Sequence, residues 1–275
     1  MKRILVPIDF SSYSENALLS AVKIAAKGDA HITCLNVVNS PLDWASFSDE
    51  KRAQHHELLE LEAESKEKLD TFVLEHAIST NPVETLVDIG LPSNKILENA
   101  KRLNVDLIVM GAYGKGHQPD KFLGSNLQKV IRQSVCPVLA VKSVVDSSSI
   151  RKIAFASIFS PDSKPAYLKL KPLVKFLEAS LNFVYVNTPS KNSDSDKAME
   201  AMNSFLVGEH DQIVHKHIFN APEVEKGILQ FSEMNQVGII AIASSDRKAA
   251  RSYQIGVTDT VLYKSDIPVL SVNLG

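Results

Sequence analysis

The 275-residue chain has only two cysteines, Cys34 and Cys136, and a single tryptophan. Both cysteines lie in apolar, strand-like runs. They read as buried free thiols, which suits a reducing compartment and excludes a disulfide scaffold. An excess of one charge is also missing: 30 Lys and Arg stand against 32 Asp and Glu, for a net charge of −2. No electrostatic footprint for nucleic acid or an anionic membrane follows. Long hydrophobic runs are absent, and no apolar stretch approaches the roughly 18 residues that cross a bilayer. The opening MKRILVPIDF meets Pro7 and Asp9 before it can build a signal peptide's apolar region, so Arg3–Ile8 is expected to be a buried first strand. A cytoplasmic protein with no nucleic-acid or membrane partner is expected. Catalytic signatures are scarce. There is no Walker-type Gly-Lys-Ser/Thr, no obvious arginine finger, and no convincing Ser-His-Asp or Cys-His spacing.

What is present is a sequence written twice. KRILVPIDFS (residues 2–11) returns as RKIAFASIFS (151–160), VDLIVMGAYG (105–114) as VGIIAIASSD (237–246), and SVCPVLAVK (134–142) as SDIPVLSVN (265–273). Three matches in the same order indicate an internal duplication. Between the first and second matches the second copy is shorter by about 17 residues. Two domains, 1–146 and 147–275, are expected, joined through the polar stretch SVVDSSSI at 143–150.

Within the first copy, apolar runs alternate with helical patterns. Strands are expected at 3–8, 31–38, 83–90, 105–110 and 136–142. Helices are expected at 12–27, 49–76, 92–103 and 125–134. The second copy repeats the pattern, with strands at 153–157, 181–187, 212–219, 238–243 and 267–272, helices at 161–179 and 221–234, and a shortened second helix after the polar loop at 188–197. Buried strands alternating with helices imply an α/β fold, a parallel sheet with helices on both faces. Its loops after the strands meet at the carboxyl edge, where ligands bind.

The most informative segment is GAYGKGHQPDKFLGS (111–125). A glycine, two residues, a second glycine and nine residues lead to Gly-Ser at the start of a helix. Glycines let the backbone approach a ligand closely, and the N–H groups of a helix N-terminus favour an anion. Strand, glycine loop and helix thus make a candidate phosphate site.

VPIDFS (6–11), the strand ending LNVV, the GxxG-x9-GS loop and CPVLAVK together resemble the universal stress protein family, as two tandem copies covering nearly the whole chain. The resemblance implies two open α/β domains of five parallel strands, like the adenine nucleotide alpha hydrolases. It also implies ATP, AMP or ADP as cofactor, with magnesium left open. By matching positions, it places Pro7, Ile8 and Asp9 after the first strand, with Asp9 facing the nucleoside. It places Val37 at the adenine edge, Met110 and Gly111 along the nucleoside, and Gly114, Gly124, Ser125 and Asn126 around the phosphates. Pairing of the two domains through 140–143 and 271–274, and a homodimer, are further implications.

Simpler roles stand beside these. Asp9 also suits a simple cap for the helix that begins near Ser12, and Gly124-Ser125 suits a plain loop end and cap. Lys115, His117 and Lys121 are phosphate candidates or solvated loop residues, and Asp120 is a poor neighbour for phosphate. In the second copy Ile158 stands for Asp9, Ala243 for Gly111, Asp246 for Gly114 and Val257 for Ser125, with Gly256 matched to Gly124. That copy is expected not to bind ATP in this manner and to be mainly structural. His215 and His217 share a strand face, but an exposed polar face is the better reading than a metal pair. The functional expectation is a stress-response nucleotide sensor. The alternatives are a slow ATPase or phosphotransferase, and a scaffold without a ligand.

Overall fold

The computed structural model describes residues 1–115, 123–189, 195–209, 213–244 and 253–274. The chain folds as two compact units: residues 1–136 with 141–144, and residues 137–140 with 145–275.

In the first unit, β1 (Arg3–Pro7) leads to α1 (Ser12–Ala25) and β2 (His31–Asn39). Helices α2 (Asp49–Ala53) and α3 (His56–His76) precede β3 (Val83–Gly90). Then come α4 (Pro92–Arg102), β4 (Leu107–Gly111) and α5 (Ser125–Gln133). The strands run in the order β3-β2-β1-β4, and all pairs are parallel. The chain therefore steps outward from β1 to β3, then crosses back to lay β4 on the other side of β1. That reversal opens a crevice at the carboxyl ends of β1 and β4. Ile4, Leu5 and Val6 are fully buried, as expected of a strand covered on both faces. Helix α1 starts where the Ser11 hydroxyl accepts the Ser14 N–H at 3.2 Å. Its apolar stripe of Ala17, Leu18, Ala21 and Ile24 is fully buried. Burial of Leu18 and Ile24 stabilises the unit by about 1.5–3 kcal/mol each.

The helix expected at 49–76 is two helices. Its pattern holds no Gly or Pro, so nothing in the sequence marks the break. The cause is tertiary: His55 leaves helical geometry (φ −104°, ψ 61°), and its ring stacks on Phe47 with centroids 5.4 Å apart. Phe47 in turn packs on the buried cluster of Val38, Trp44 and Ile89.

The second unit contains β6 (Lys152–Ala156), α6 (Lys164–Phe176), β7 (Ser180–Asn187), α7 (Ser195–Phe205), β8 (Val214–Asn220), α8 (Val224–Met234), β9 (Ile239–Ser244), α9 (Tyr253–Lys264) and β10 (Val269–Asn273). Strand β5 (Val138–Val141) contributes residues 138–140 to this unit. It pairs antiparallel with β10 in the register Val269↔Ala140, Leu270↔Leu139 and Ser271↔Val138. The remaining pairs, β10 with β9, β9 with β6, β6 with β7 and β7 with β8, are parallel. Val141 falls in the first unit, where its carbonyl accepts the Ala112 N–H at 2.8 Å. The α6 segment, expected to begin at Pro161, opens with a 3-10 turn at Pro161–Ser163. Helix α9 is an element the sequence reading did not include.

The two sequence copies share backbone detail as well as strand order. Phe10 and its counterpart Phe159 both take left-handed conformations (φ 63° and 54°), as do Asn104 and Gln236 (φ 49° and 51°). Left-handed Phe is strained and persists only where its surroundings fix it. Phe10 packs edge-on against Phe72, and Phe159 sits in a buried cluster with Phe155, Phe183 and Phe205.

Candidate functional site

A cavity of about 660 Å³ opens in the first unit at the carboxyl ends of β1 and β4. The ten residues singled out from sequence, Pro7, Ile8, Asp9, Val37, Met110, Gly111, Gly114, Gly124, Ser125 and Asn126, all line it. The volume falls in the range typical of small-molecule sites.

Asp9 joins two walls of this cavity. Its Oδ1 accepts the Ser11 hydroxyl at 2.6 Å and the Ser11 N–H at 3.1 Å, while its Oδ2 accepts the Lys115 N–H at 2.8 Å. Helix α1 is capped by Ser11 rather than by Asp9, so Asp9 buttresses the cap and also ties the glycine loop to β1. Burial pushes its carboxyl up, but hydrogen bonds from Ser11, Lys115 and Ser14 outweigh that and hold it below the ordinary carboxylate range. Asp9 is therefore an anion at neutral pH with acceptor capacity remaining.

The glycine loop leaves β4 and returns to the same place, since the Gly124 N–H bonds to the Ala112 carbonyl at 3.3 Å. Helix α5 then starts at Gly124 with no side-chain cap. Its first N–H groups lack intrahelical partners and point their positive end at the cavity, an arrangement suited to an anion. The three glycines differ in purpose. A Cβ on Gly111 would lie 2.7 Å from Tyr13 Cβ and 2.8 Å from its backbone, so this glycine serves packing of β4 on α1. One on Gly114 would lie 2.9 Å from Asp9 Oδ2, so that glycine admits the carboxylate. One on Gly124 would meet nothing closer than 3.7 Å.

Sequence reasoning missed several lining residues: Ser14 on α1, Leu35 and Asn36 on β2, Pro92 and Ile96 on α4, Tyr113 and Leu123 on the glycine loop, and Leu127 and Gln128 on α5. Gln128 was accessible to helical spacing, lying three residues after Ser125. Pro92 and Ile96 were not, because their arrival depends on how α4 crosses the sheet. Lys115 lines the cavity, whereas His117, Pro119, Asp120 and Lys121 lie outside the described residues.

Residues 1–142 match the family model described as the universal stress protein family. The chain belongs to that family. A universal stress protein of Methanocaldococcus jannaschii, MJ0531, is 33% identical over 149 residues, spanning 51% of this chain and 82% of the relative. The universal stress protein YxiE of Bacillus subtilis is 33% identical over 146 residues, spanning 51% of this chain and 98% of the relative. The crystal structure of a universal stress protein from Archaeoglobus fulgidus superposes with a TM-score of 0.71 at 23% identity, covering 99% of this chain and 98% of its own. At that identity the likeness speaks for the fold, which runs through both units.

In the second unit the corresponding positions are differently furnished. Ile158, in the place of Asp9, is 46% exposed and offers no acceptor. Strand register puts Tyr185 where the first unit has Asn36, because Pro7 pairs with Leu35 and Ala156 with Val184. Gly256 is not the counterpart of Gly124 in position. Helix α9 begins at Tyr253, so Gly256 lies inside the helix, whereas Gly124 precedes α5. The two helices align at their ends instead, where Ser134 and Ser265 each accept the N–H two residues on. Asp246 lies outside the described residues.

His217 donates from Nε2 to Asn182 Oδ1 at 3.1 Å and packs its ring on Phe231, while His215 is exposed. Burial, then the neighbouring His215 and Lys152 charges, keep the His217 pKa below the usual imidazole value. No group of three potential metal ligands occurs among the described residues, and no helix among them is long and apolar enough to cross a membrane.

Proposed function

We propose that the first unit binds an adenine nucleotide, ATP or its mono- or diphosphate, in the cavity beside β1 and β4, and that the protein acts as a nucleotide-dependent stress-response regulator. One observation supports this reading: Asp9 and the uncapped N-terminus of α5 line the same cavity, together with Gly114 and Lys115, whose N–H binds Asp9. A nucleotide has matching ends, a sugar rich in hydroxyl donors and a polyanionic tail. Asp9 would take the sugar hydroxyls. The backbone N–H groups at Gly114, Ser125 and Asn126, with the Ser125 hydroxyl, would hold phosphate. Met110, Ile8 and Val37 would supply the apolar walls a base needs. Magnesium would have to be held chiefly by phosphate oxygens and water, since Asp9 is already engaged with Ser11 and Lys115.

The second unit, without an acceptor at 158, serves structure and pairing in this reading. Pairing of the two domains within the chain and a homodimer belong to the same proposal. The setting is the cytoplasm.

A thermal-shift and turnover experiment tests the proposal. Millimolar ATP with magnesium should raise the melting temperature by stabilising the folded state, as any ligand specific to it must. ATP should remain intact over hours at stoichiometric protein. No shift with any adenine nucleotide would sink the binding, and ADP accumulating over many turnovers would replace the regulator with an enzyme.

A further inference from the structure

Helix α3 carries a surface that neither the core nor the nucleotide cavity uses. It joins β2 to β3 with 21 residues, of which Leu69 alone is buried. The second unit makes the same crossover, from β7 to β8, with the 11 residues of α7, three of them buried. A helix of that length is enough for the connection, so much of α3 is not needed for the core.

What the additional length carries is charge. Helix α3 holds seven carboxylates against two lysines, in a chain whose net charge is only −2. Glu57, Glu60, Glu64, Glu67 and Glu75 are all exposed. Their spacing sets them in one stripe about 27 Å long. None of the five has an ion-pair partner among the described residues, and Lys66 is engaged with Asp70 instead. Glu57 and Glu60 suit the dipole at the helix start, but Glu64, Glu67 and Glu75 lie beyond the first turn. Like charges three and four residues apart weaken a helix, so the stripe works against the stability of α3.

A groove of about 550 Å³ adjoins the stripe. Two aromatic rings, Phe10 and Phe72, line it together with Glu64, Glu67 and Glu75. The Lys68 ammonium lies 4.4 Å from the centre of the Phe10 ring. The protein thus already places one cation on this aromatic face, among carboxylates, the setting in which a cation–π contact is favourable. Leu61 and Leu74, 46% and 84% exposed, add apolar surface on the same helix.

We propose that α3 and its groove dock a basic segment of a partner protein, a helix with Lys or Arg at every third or fourth position laid along the stripe. Charge complementarity selects and orients such a partner, and the aromatic groove takes one of its cationic side chains. Nucleic acid, which is itself polyanionic, is repelled from this face. The surface is independent of the nucleotide reading and goes beyond it.

The test uses a fluorescent helical peptide of about 18 residues, with lysine or arginine at that spacing, titrated into the intact chain. It should bind at least about tenfold more tightly than a shuffled peptide of the same composition. Raising salt from about 0.05 M to about 0.5 M should weaken it about tenfold. The triple variant Glu64→Gln, Glu67→Gln, Glu75→Gln should also lose about tenfold. Its melting temperature should match the parent's, because all three side chains are exposed. Glu200→Gln on α7 should change nothing. Carbodiimide should couple peptide lysines to carboxylates of α3. No binding, equal binding of the shuffled peptide, an affinity that survives the triple substitution, or coupling confined to other surfaces would overturn the proposal. ATP titration of the same proteins reports on the nucleotide site separately.

Discussion

Replacing Gly124 by aspartate should separate folding from binding. The position precedes the first turn of α5, its backbone is extended (φ −59°, ψ 133°), and no side chain caps the helix there. A Cβ would lie 3.7 Å from the Ala112 carbonyl, an ordinary contact. Aspartate is among the best residues for a helix N-cap, with a carboxylate that accepts the second or third N–H of the helix. Those N–H groups belong to Asn126 and Leu127, next to the proposed phosphate cradle. The variant should therefore be as stable as the parent, or more stable by a few tenths of a kcal/mol. Binding should fare differently. The new carboxylate competes for the N–H groups a phosphate needs and repels it. At an effective dielectric near 20, one unit charge at about 5 Å costs about 3 kcal/mol, roughly a hundredfold in affinity. Gly124→Ala adds the carbon without the charge and should keep most of the affinity. Melting temperature and ATP titration on the three proteins provide the assay. An aspartate variant that melts like the parent and binds ATP equally well would refute the placement of phosphate at α5.

Other consequences follow from the same contacts. Gly111→Ala drives a carbon against the Tyr13 backbone at 2.8 Å and should cost about 1–3 kcal/mol, read as a lowered denaturation midpoint. The Asp9 carboxyl is held below its ordinary pKa, so its contribution to stability is present above about pH 4 and is lost as pH falls through the depressed folded value. The stability gap between the parent and Asp9→Asn should then be full at pH 6 and shrink towards pH 3, and a constant gap would contradict the assigned hydrogen bonds. Burial pushes the Cys34 thiol up to about 12, so a thiol reagent at pH 8 should leave it unmodified in the native protein and modify it on denaturation.

The sequence made the site legible because its chemistry is local. Asp9 directly follows a strand, and the spacing from Gly111 to Ser125 ties one loop to one strand and one helix. Strand and helix alternation then brings such loops to one edge, and Pro7–Asp9, Val37 and the glycine loop do meet there. The less legible features are products of packing. The break at His55 depends on Phe47 and Trp44 coming from an earlier turn. Gly111 looked like a ligand contact, yet its missing side chain is required by Tyr13. Matching Gly256 to Gly124 by residue type failed because α9 starts earlier than α5, and a glycine's meaning depends on whether it precedes a helix or lies within it. Asn36 gave no signal as a lining residue, since a lone asparagine in a strand shows its bond to the Ile8 carbonyl only in the fold.

Calorimetric titration of the intact chain with ATP and magnesium tests the central claim most directly. One site per chain, lost in Gly124→Asp, is the outcome expected if the first unit alone holds the nucleotide. Two sites, or one that persists in that variant, would contradict the account.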